Sequence, residues 1–295
     1  PAAANTLSFG NNQQIDSAGY ALGPGETFAD SDLFFDIDPG NASFAEGTYA
    51  ALTLIHEIGH ALGLKHPFST QQAGGGLADP PYLPASEDKT SWTVMSYKDT
   101  VAQYHLQFSP FDVAALQYLY GPNPTSRAGN DTYTASESSS NFIWDGAGND
   151  TLDLSSARQG GTFYLTPGHW GFFGATAANS ITAAGQVTLN FGTQIENLTG
   201  TDFADKLYGN PLANVISGGA GNDLLDGGEG NDTLMGGLGN DVMVGGQGQD
   251  TVKVNDSLAR YKITKNNAGY VMEDTVGSNG TDTLTQIESL QFSDR

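Results

Sequence analysis

From Gly200 to Lys253 the chain repeats every nine residues without an insertion, a period that few folds can accommodate. Six nonapeptides run in series: GTDFADKLY, GNPLANVIS, GGAGNDLLD, GGEGNDTLM, GGLGNDVMV and GGQGQDTVK. The last four fit the pattern GGxGxDxUx, in which U is large and apolar. The first two keep the frame but lose most of its glycines. The eighth position reads Leu207, Ile216, Leu225, Leu234, Met243 and Val252. A flexible Gly/Asp-rich linker has no reason to place an apolar side chain at every ninth residue, whereas a stacked core requires it. The expected structure is a parallel β-roll. Six Gly-rich residues turn, the last three form a short strand, and the eighth side chain points inward. Glycine supplies the positive-φ conformations that such turns need. Two nonapeptides complete one coil, so residues two repeats apart stack. Asp205, Asp223 and Asp241 then line one edge, and Asn214, Asp232 and Asp250 the other. Calcium, a hard cation that takes oxygen ligands, suits these carboxylates and the turn carbonyls between them.

Composition narrows the partners. The chain has 295 residues with 33 acidic and 11 basic side chains, a net charge of -22. Phosphates repel such a surface, which excludes nucleic acid and anionic membrane as main partners. With no Cys, disulfides, Cys-ligated zinc, iron–sulfur clusters and thiol nucleophiles are excluded together. The length suggests two domains, expected at 1–122 and 123–295. Between 126 and 199 short strands alternate with turns, and RAGNDTYT (127–134) and WDGAGNDTLDLS (144–155) echo half of the nonapeptide. Residues 254–295 alternate polar and apolar, as strands flanking the roll would.

The first domain carries different chemistry. TLSFG, GYALG and DLFFDI read as short strands, and a helix is expected from Thr48 to Leu62 with a broad apolar face. A second helix opens after Ser109-Pro110 and stops at Gly121-Pro122. The first helix ends in HEIGHALGLKH. His56 and His60, four residues apart, project from one helical face and can grip a single ion. Gly63 stops the helix in the left-handed capping conformation, and the turn returns His66 as a third ligand. Three neutral nitrogens leave one zinc position open for water, the pattern of a catalytic site. Glu57, next to a ligand, is placed to act as general base on that water. Three of the five histidines are used in this way, and His105 and His169 read as ordinary surface or core residues. SWTVMSY (91–97) adds Met95 in a tight turn as a polarisable floor under the histidines. Tyr97 follows, with a phenol able to coordinate zinc or to hydrogen-bond an oxyanion.

These motifs resemble the serralysins, bacterial zinc metalloproteases of the metzincin group. The resemblance rests on HEIGHALGLKHP with Pro67 after the third histidine, on VMSY, on SPFDVAALQYLYG, and on GTDFADKLYGN followed by the GGxGND run. It implies an α+β metzincin-like catalytic domain followed by an all-β domain with a parallel β-roll. It also implies a secreted, extracellular zinc endopeptidase exported by a type I-like route. His56, His60 and His66 would hold Zn2+, Glu57 and Tyr97 would act at the open site, and Met95 would form the Met-turn. Asp205, Asp223, Asp232, Asp241 and Asp250 would hold structural Ca2+. GYALG would be an edge strand that pairs with an extended protein substrate. Only residues 1–55 precede His56, where the family places further strands and another helix. The catalytic domain is therefore expected to be partial, with its missing part a separate chain, lost by cleavage or never present, and the resemblance allows a separate N-terminal segment or an inhibitor as partner. The alternative reading is an inactive fragment serving as a calcium-binding or interaction module.

Overall fold

The computed structural model describes residues 8–12, 19–21, 32–36, 43–68, 82–98 and 106–295. The chain divides into two compact units, Pro1–Gly121 and Pro122–Arg295.

In the first unit, β1 (Ser8–Asn12), β2 (Gly19–Ala21) and β3 (Asp32–Asp36) form a sheet of order β1-β3-β2. β1 runs parallel to β3 and β2 antiparallel to it. Within this sheet β2 is an edge strand, as expected of GYALG; its Leu22 and Gly23 lie outside the described residues. Helix α1 (Tyr49–Ala61) starts at Thr48, whose hydroxyl accepts from the Ala51 amide at 3.2 Å. It ends in a Schellman arrangement, with Leu64 N–H donating to Gly59 O and Gly63 N–H to His60 O, both at 2.9 Å. Gly63 has φ 92°, the left-handed conformation expected there. Two apolar clusters grip α1. Ile58 and Ala61 pack with Leu33 and Phe35 of β3. Ile55 packs with Leu64, Val94 and Met95, backed by Leu116 of α2 (Pro110–Tyr120). The zinc-motif helix is therefore held by a sheet on one side and by the Met95 turn on the other.

The second unit is built from strands. In chain order they are β4 (Thr132–Thr134), β5 (Asn141–Ile143), β6 (Thr151–Asp153), β7 (Gly161–Tyr164), β8 (Trp170–Phe173) and β9 (Gln186–Leu189). β10 (Asn197–Thr199), β11 (Lys206–Tyr208), β12 (Val215–Ala220), β13 (Leu224–Glu229), β14 (Thr233–Leu238), β15 (Val242–Gln247) and β16 (Thr251–Lys253) follow. β17 (Tyr261–Lys265), β18 (Tyr270–Asp274), β19 (Thr281–Thr285) and β20 (Ser289–Gln291) close the chain. One sheet has the order β20-β16-β14-β12-β10-β6-β4 and is parallel throughout. The other carries the parallel core β19-β15-β13-β11-β7, extended by antiparallel β18 and β17 at one end and by antiparallel β8 and β9 at the other, where β5 adds in parallel to β9. Val215 pairs with Thr233 and Leu224 with Val242, so the coil spans two nonapeptides.

The eighth-position side chains Leu207, Ile216, Leu225, Leu234, Met243 and Val252 are all 0–1% exposed and share one core with Leu152, Phe163 and Leu198. Two expectations need correction. β12 to β15 are six residues long rather than three, because the strand continues through the first three residues of the next repeat. Parallel pairing of Gly219 with Gly237, and of Gly228 with Gly246, extends the ladder into what the composition suggests is turn. Residues 254–295 do more than flank the roll, since β19 and β20 add to its two sheets as a last coil.

The repeat glycines act for two reasons. The second and fourth take positive φ, for example 103° at Gly219 and 126° at Gly221. The first does not. A Cβ on Gly218 would instead lie 2.4 Å from Asp223 Oδ2 and 2.5 Å from Gly236 O, so that position is glycine for want of space.

Candidate functional site

His56, His60 and His66 converge. His66 Nε2 lies 3.1 Å from His60 Nε2 and 3.3 Å from His56 Nε2. Tetrahedral zinc, with Zn–N bonds of about 2.0–2.1 Å, sets its ligand nitrogens roughly 3.3 Å apart. The far nitrogens are already occupied: His56 Nδ1 donates to Val94 O at 2.7 Å and His60 Nδ1 to Leu64 O at 2.9 Å. Those carbonyls assign the tautomers and leave Nε2 of both rings with a lone pair facing the common point. Burial, then the neighbouring rings, pushes His56 and His66 down to about 4, and burial lowers His60 as well, so the trio is neutral around neutral pH. Convergent lone pairs without protons fit a cation.

Glu57 is 7% exposed and its carboxylate accepts from the Ala21 backbone, which ties the motif helix to β2. Burial pushes this group up to about 7. Met95 is buried and its Sδ lies where a Cβ on Gly59 would be, 2.5 Å away, so the helix residue before His60 must be glycine for the Met95 turn to approach. Tyr97 is 66% exposed, with ring centroids 5.6 Å from His56 and 4.6 Å from His66. Partial burial, then Glu57 and Tyr49, raise its phenol above the usual value. Phe68 stacks on His66 at 5.2 Å and completes an aromatic wall with Tyr97.

Sequence reasoning missed one support. Asp112, in the first turn of α2, is buried and accepts from Thr93 Oγ1 at 2.6 Å, Val94 N at 2.8 Å and Ser109 N at 3.0 Å. It thereby positions the residue whose carbonyl orients His56. Its signal was the acid three residues after Ser109, an N-terminal helix cap. Of the two other histidines, His169 sits beside the Tyr164 ring at 5.5 Å, and His105 lies outside the described residues.

In the roll, the sixth-position side chains form two ladders. Asp205 N–H donates to Asp223 Oδ1 and Asp223 N–H to Asp241 Oδ1, each at 2.9 Å. On the other edge Asn214 N–H donates to Asp232 Oδ1 at 2.8 Å and Asp232 N–H to Asp250 Oδ1 at 2.9 Å. The second oxygens of Asp223, Asp232, Asp241 and Asp250 are buried with no hydrogen-bond partner. A buried carboxylate oxygen without a partner is costly, and a row of them fits an oxygen-seeking cation. Asp205 differs: its oxygens accept from Gly161 N and Thr201 N, both at 2.7 Å. A further acidic group, Asp131, Asp145 and Asp150, brings its ligand atoms within 4.8 Å of one another, and Asp150 Oδ2 is also buried and unpartnered. The half-repeats RAGNDTYT and DGAGND were its sequence signal.

A family profile described as the RTX calcium-binding nonapeptide repeat matches residues 127–156, 192–224, 199–234 and 217–252. The chain is 37% identical to Serralysin of Proteus mirabilis over 58% of its own length and 38% of the relative's. It is 38% identical to Metalloprotease AprA of Pseudomonas entomophila over 58% of its length and 39% of that protein's. With Serralysin G of Dickeya chrysanthemi the figures are 33%, 70% and 47%. The chain thus spans less than half the length of these relatives. Among the described residues no helix is long and apolar enough to cross a membrane. Over more than half of its length the chain is thus similar to serralysins and related metalloproteases, and it carries RTX calcium-binding nonapeptide repeats.

Proposed function

We propose that the chain forms the zinc- and calcium-binding part of a secreted endopeptidase that hydrolyses protein substrates. The observation that carries this reading is the convergence of three Nε2 atoms, the far nitrogens of His56 and His60 being tied to carbonyls, beside a buried Glu57. Zinc bound there would polarise the scissile carbonyl and lower the pKa of water. Glu57 takes the proton from the attacking water and passes it to the leaving amine. The Tyr97 hydroxyl donates to the oxyanion as it develops, from an exposed position open to substrate. Met95 and Gly59 fix the floor, and β2, an edge strand among the described residues, would pair with an extended peptide backbone. In this reading residues 1–122 make up a metzincin-like α+β catalytic portion and 123–295 the calcium-binding domain. Asp223, Asp232, Asp241 and Asp250 hold calcium through their unpartnered oxygens, and Asp205 contributes at the first coil. Extracellular calcium, not disulfides, would then stabilise a chain with no Cys.

A second reading is a calcium-binding module with no proteolysis of its own, favoured by the repeat profile over 127–156 and 192–252 and the buried, unpartnered aspartate oxygens there. Casein hydrolysis separates the two. The first reading expects hydrolysis that stops when a chelator strips zinc and returns with one equivalent of zinc. Zinc-loaded chain that leaves casein intact would assign it to the second.

A further inference from the structure

The recognisable nonapeptides end at Lys253, but the roll does not. After the β17–β18 hairpin the chain returns, β19 pairing with β15 and β20 with β16. Leu284 enters the core as an eighth-position residue would, and Leu290 packs against it. Asp241 N–H donates to Asp282 Oδ1 at 3.0 Å, and Asp250 N–H to Glu288 Oε2 at 2.8 Å, continuing both ladders.

The two edges then diverge. A Cβ on Gly227 would lie 2.2 Å from Asp232 Oδ2 and 2.7 Å from the carbonyl oxygen of Gly245 in the next coil. On Gly245 the same probe meets Asp250 Oδ2 at 2.6 Å and the carbonyl oxygen of Gln286 at 2.0 Å. The oxygen-lined cradle of the repeats is therefore rebuilt one coil later without a glycine. Gln286 reaches that place at φ 53°, a left-handed conformation that non-glycine residues rarely adopt. On the opposite edge the three atoms nearest to such a probe on Gly236 all belong to Asp241.

The chain contains the same device twice. TQIENL (193–198) and TQIESL (285–290) differ at one residue. Glu196 Oε2 accepts from Asp150 N at 2.9 Å, and the amides of Glu196 and Asn197 donate to Asp150 O. The amides of Glu288 and Ser289 donate to Asp250 O in the same way. Both aspartates end a Gly-rich turn, and both keep a buried Oδ2 without a partner.

The geometry points to a terminal calcium site that closes one edge of the roll, formed by Asp250 Oδ2, the Gln286 carbonyl and the Glu288 carboxylate. The ligand class follows from the donors, which are all oxygens and include two carboxylates, as calcium prefers. This inference rests on the reading that the aspartate turns hold calcium. The test is the calcium content of the full chain after equilibration in calcium buffer. Glu288→Gln keeps an acceptor for the Asp250 amide at an exposed position, so the fold is retained while one charged ligand is lost. We expect this variant, and Glu288→Ala as a second, to hold one calcium fewer than wild type. Glu273→Gln on the hairpin should hold the full number. An unchanged calcium count in both Glu288 variants overturns the terminal site. If Asp232→Asn lowers the count while both Glu288 variants do not, only the terminal site falls. A wild type that binds no calcium removes both readings.

Discussion

At the scale of single residues, the histidine site depends on contacts made outside the ligand set. Gly59 has no side chain because Met95 Sδ occupies the space. Gly59→Ala must move the Met95 turn, and overpacking of this kind costs about 1–3 kcal/mol. We expect a lower midpoint in thermal unfolding and weaker zinc retention, although Ala is the better helix former. Tyr97 is exposed, its ring stacked on His56 and tilted against His66, and a Phe in its place keeps those ring contacts. Tyr97→Phe should therefore leave stability unchanged and lower kcat by roughly 10²-fold with little change in KM. A fall in stability with kcat intact would assign Tyr97 to structure. The convergence of His56, His60 and His66 beside Glu57 was legible because their spacing is local, and Met95 and Tyr97 because SWTVMSY resembles a known turn. Asp112 was not, since its partners Thr93 and Val94 lie in a loop that only tertiary folding brings to α2.

Elements show where periodicity informs and where it stops. The nine-residue period specified the coil, the inward residue and the stacking of Asp223 on Asp241. It could not show that strands run on through the Gly-Gly pairs, because composition marks those residues as turn. Nor could it show the last coil, since a hairpin of unrelated pattern interrupts the frame between Lys253 and Gly280. The core itself is plain. Leu225 is fully buried between stacked neighbours, and Leu225→Ala should cost about 2–5 kcal/mol. Calorimetry in saturating calcium would measure it. A cost below about 1 kcal/mol would mean that the roll is held by its ions and not by its core.

For the whole molecule, charge and calcium are one problem. Of the net charge of -22, much of the roll's share sits on carboxyls stacked in buried ladders. Burial, then neighbouring carboxylates, pushes Asp223 and Asp282 up to about 7 and Asp232 up to about 6. These values lie above the unfolded value of about 3.9, so the folded, calcium-free roll binds protons that the unfolded chain releases. Its stability is fully present near pH 4 and falls as pH rises through about 6 to 7. Calcium binds the ionised carboxylates and should reverse that slope. Thermal unfolding in a calcium chelator, repeated between pH 4.5 and 7.5 and then with calcium, checks the sign. A calcium-free midpoint that rises with pH would contradict this account.

The central claim is that Glu57 works as a base beside a metal held by His56, His60 and His66. The most direct measurement is the initial rate of casein hydrolysis by wild type and Glu57→Gln, each carrying one equivalent of zinc. The account predicts a rate lower by about 10²–10⁴-fold in the variant at equal zinc content. Equal rates in the two proteins would contradict it.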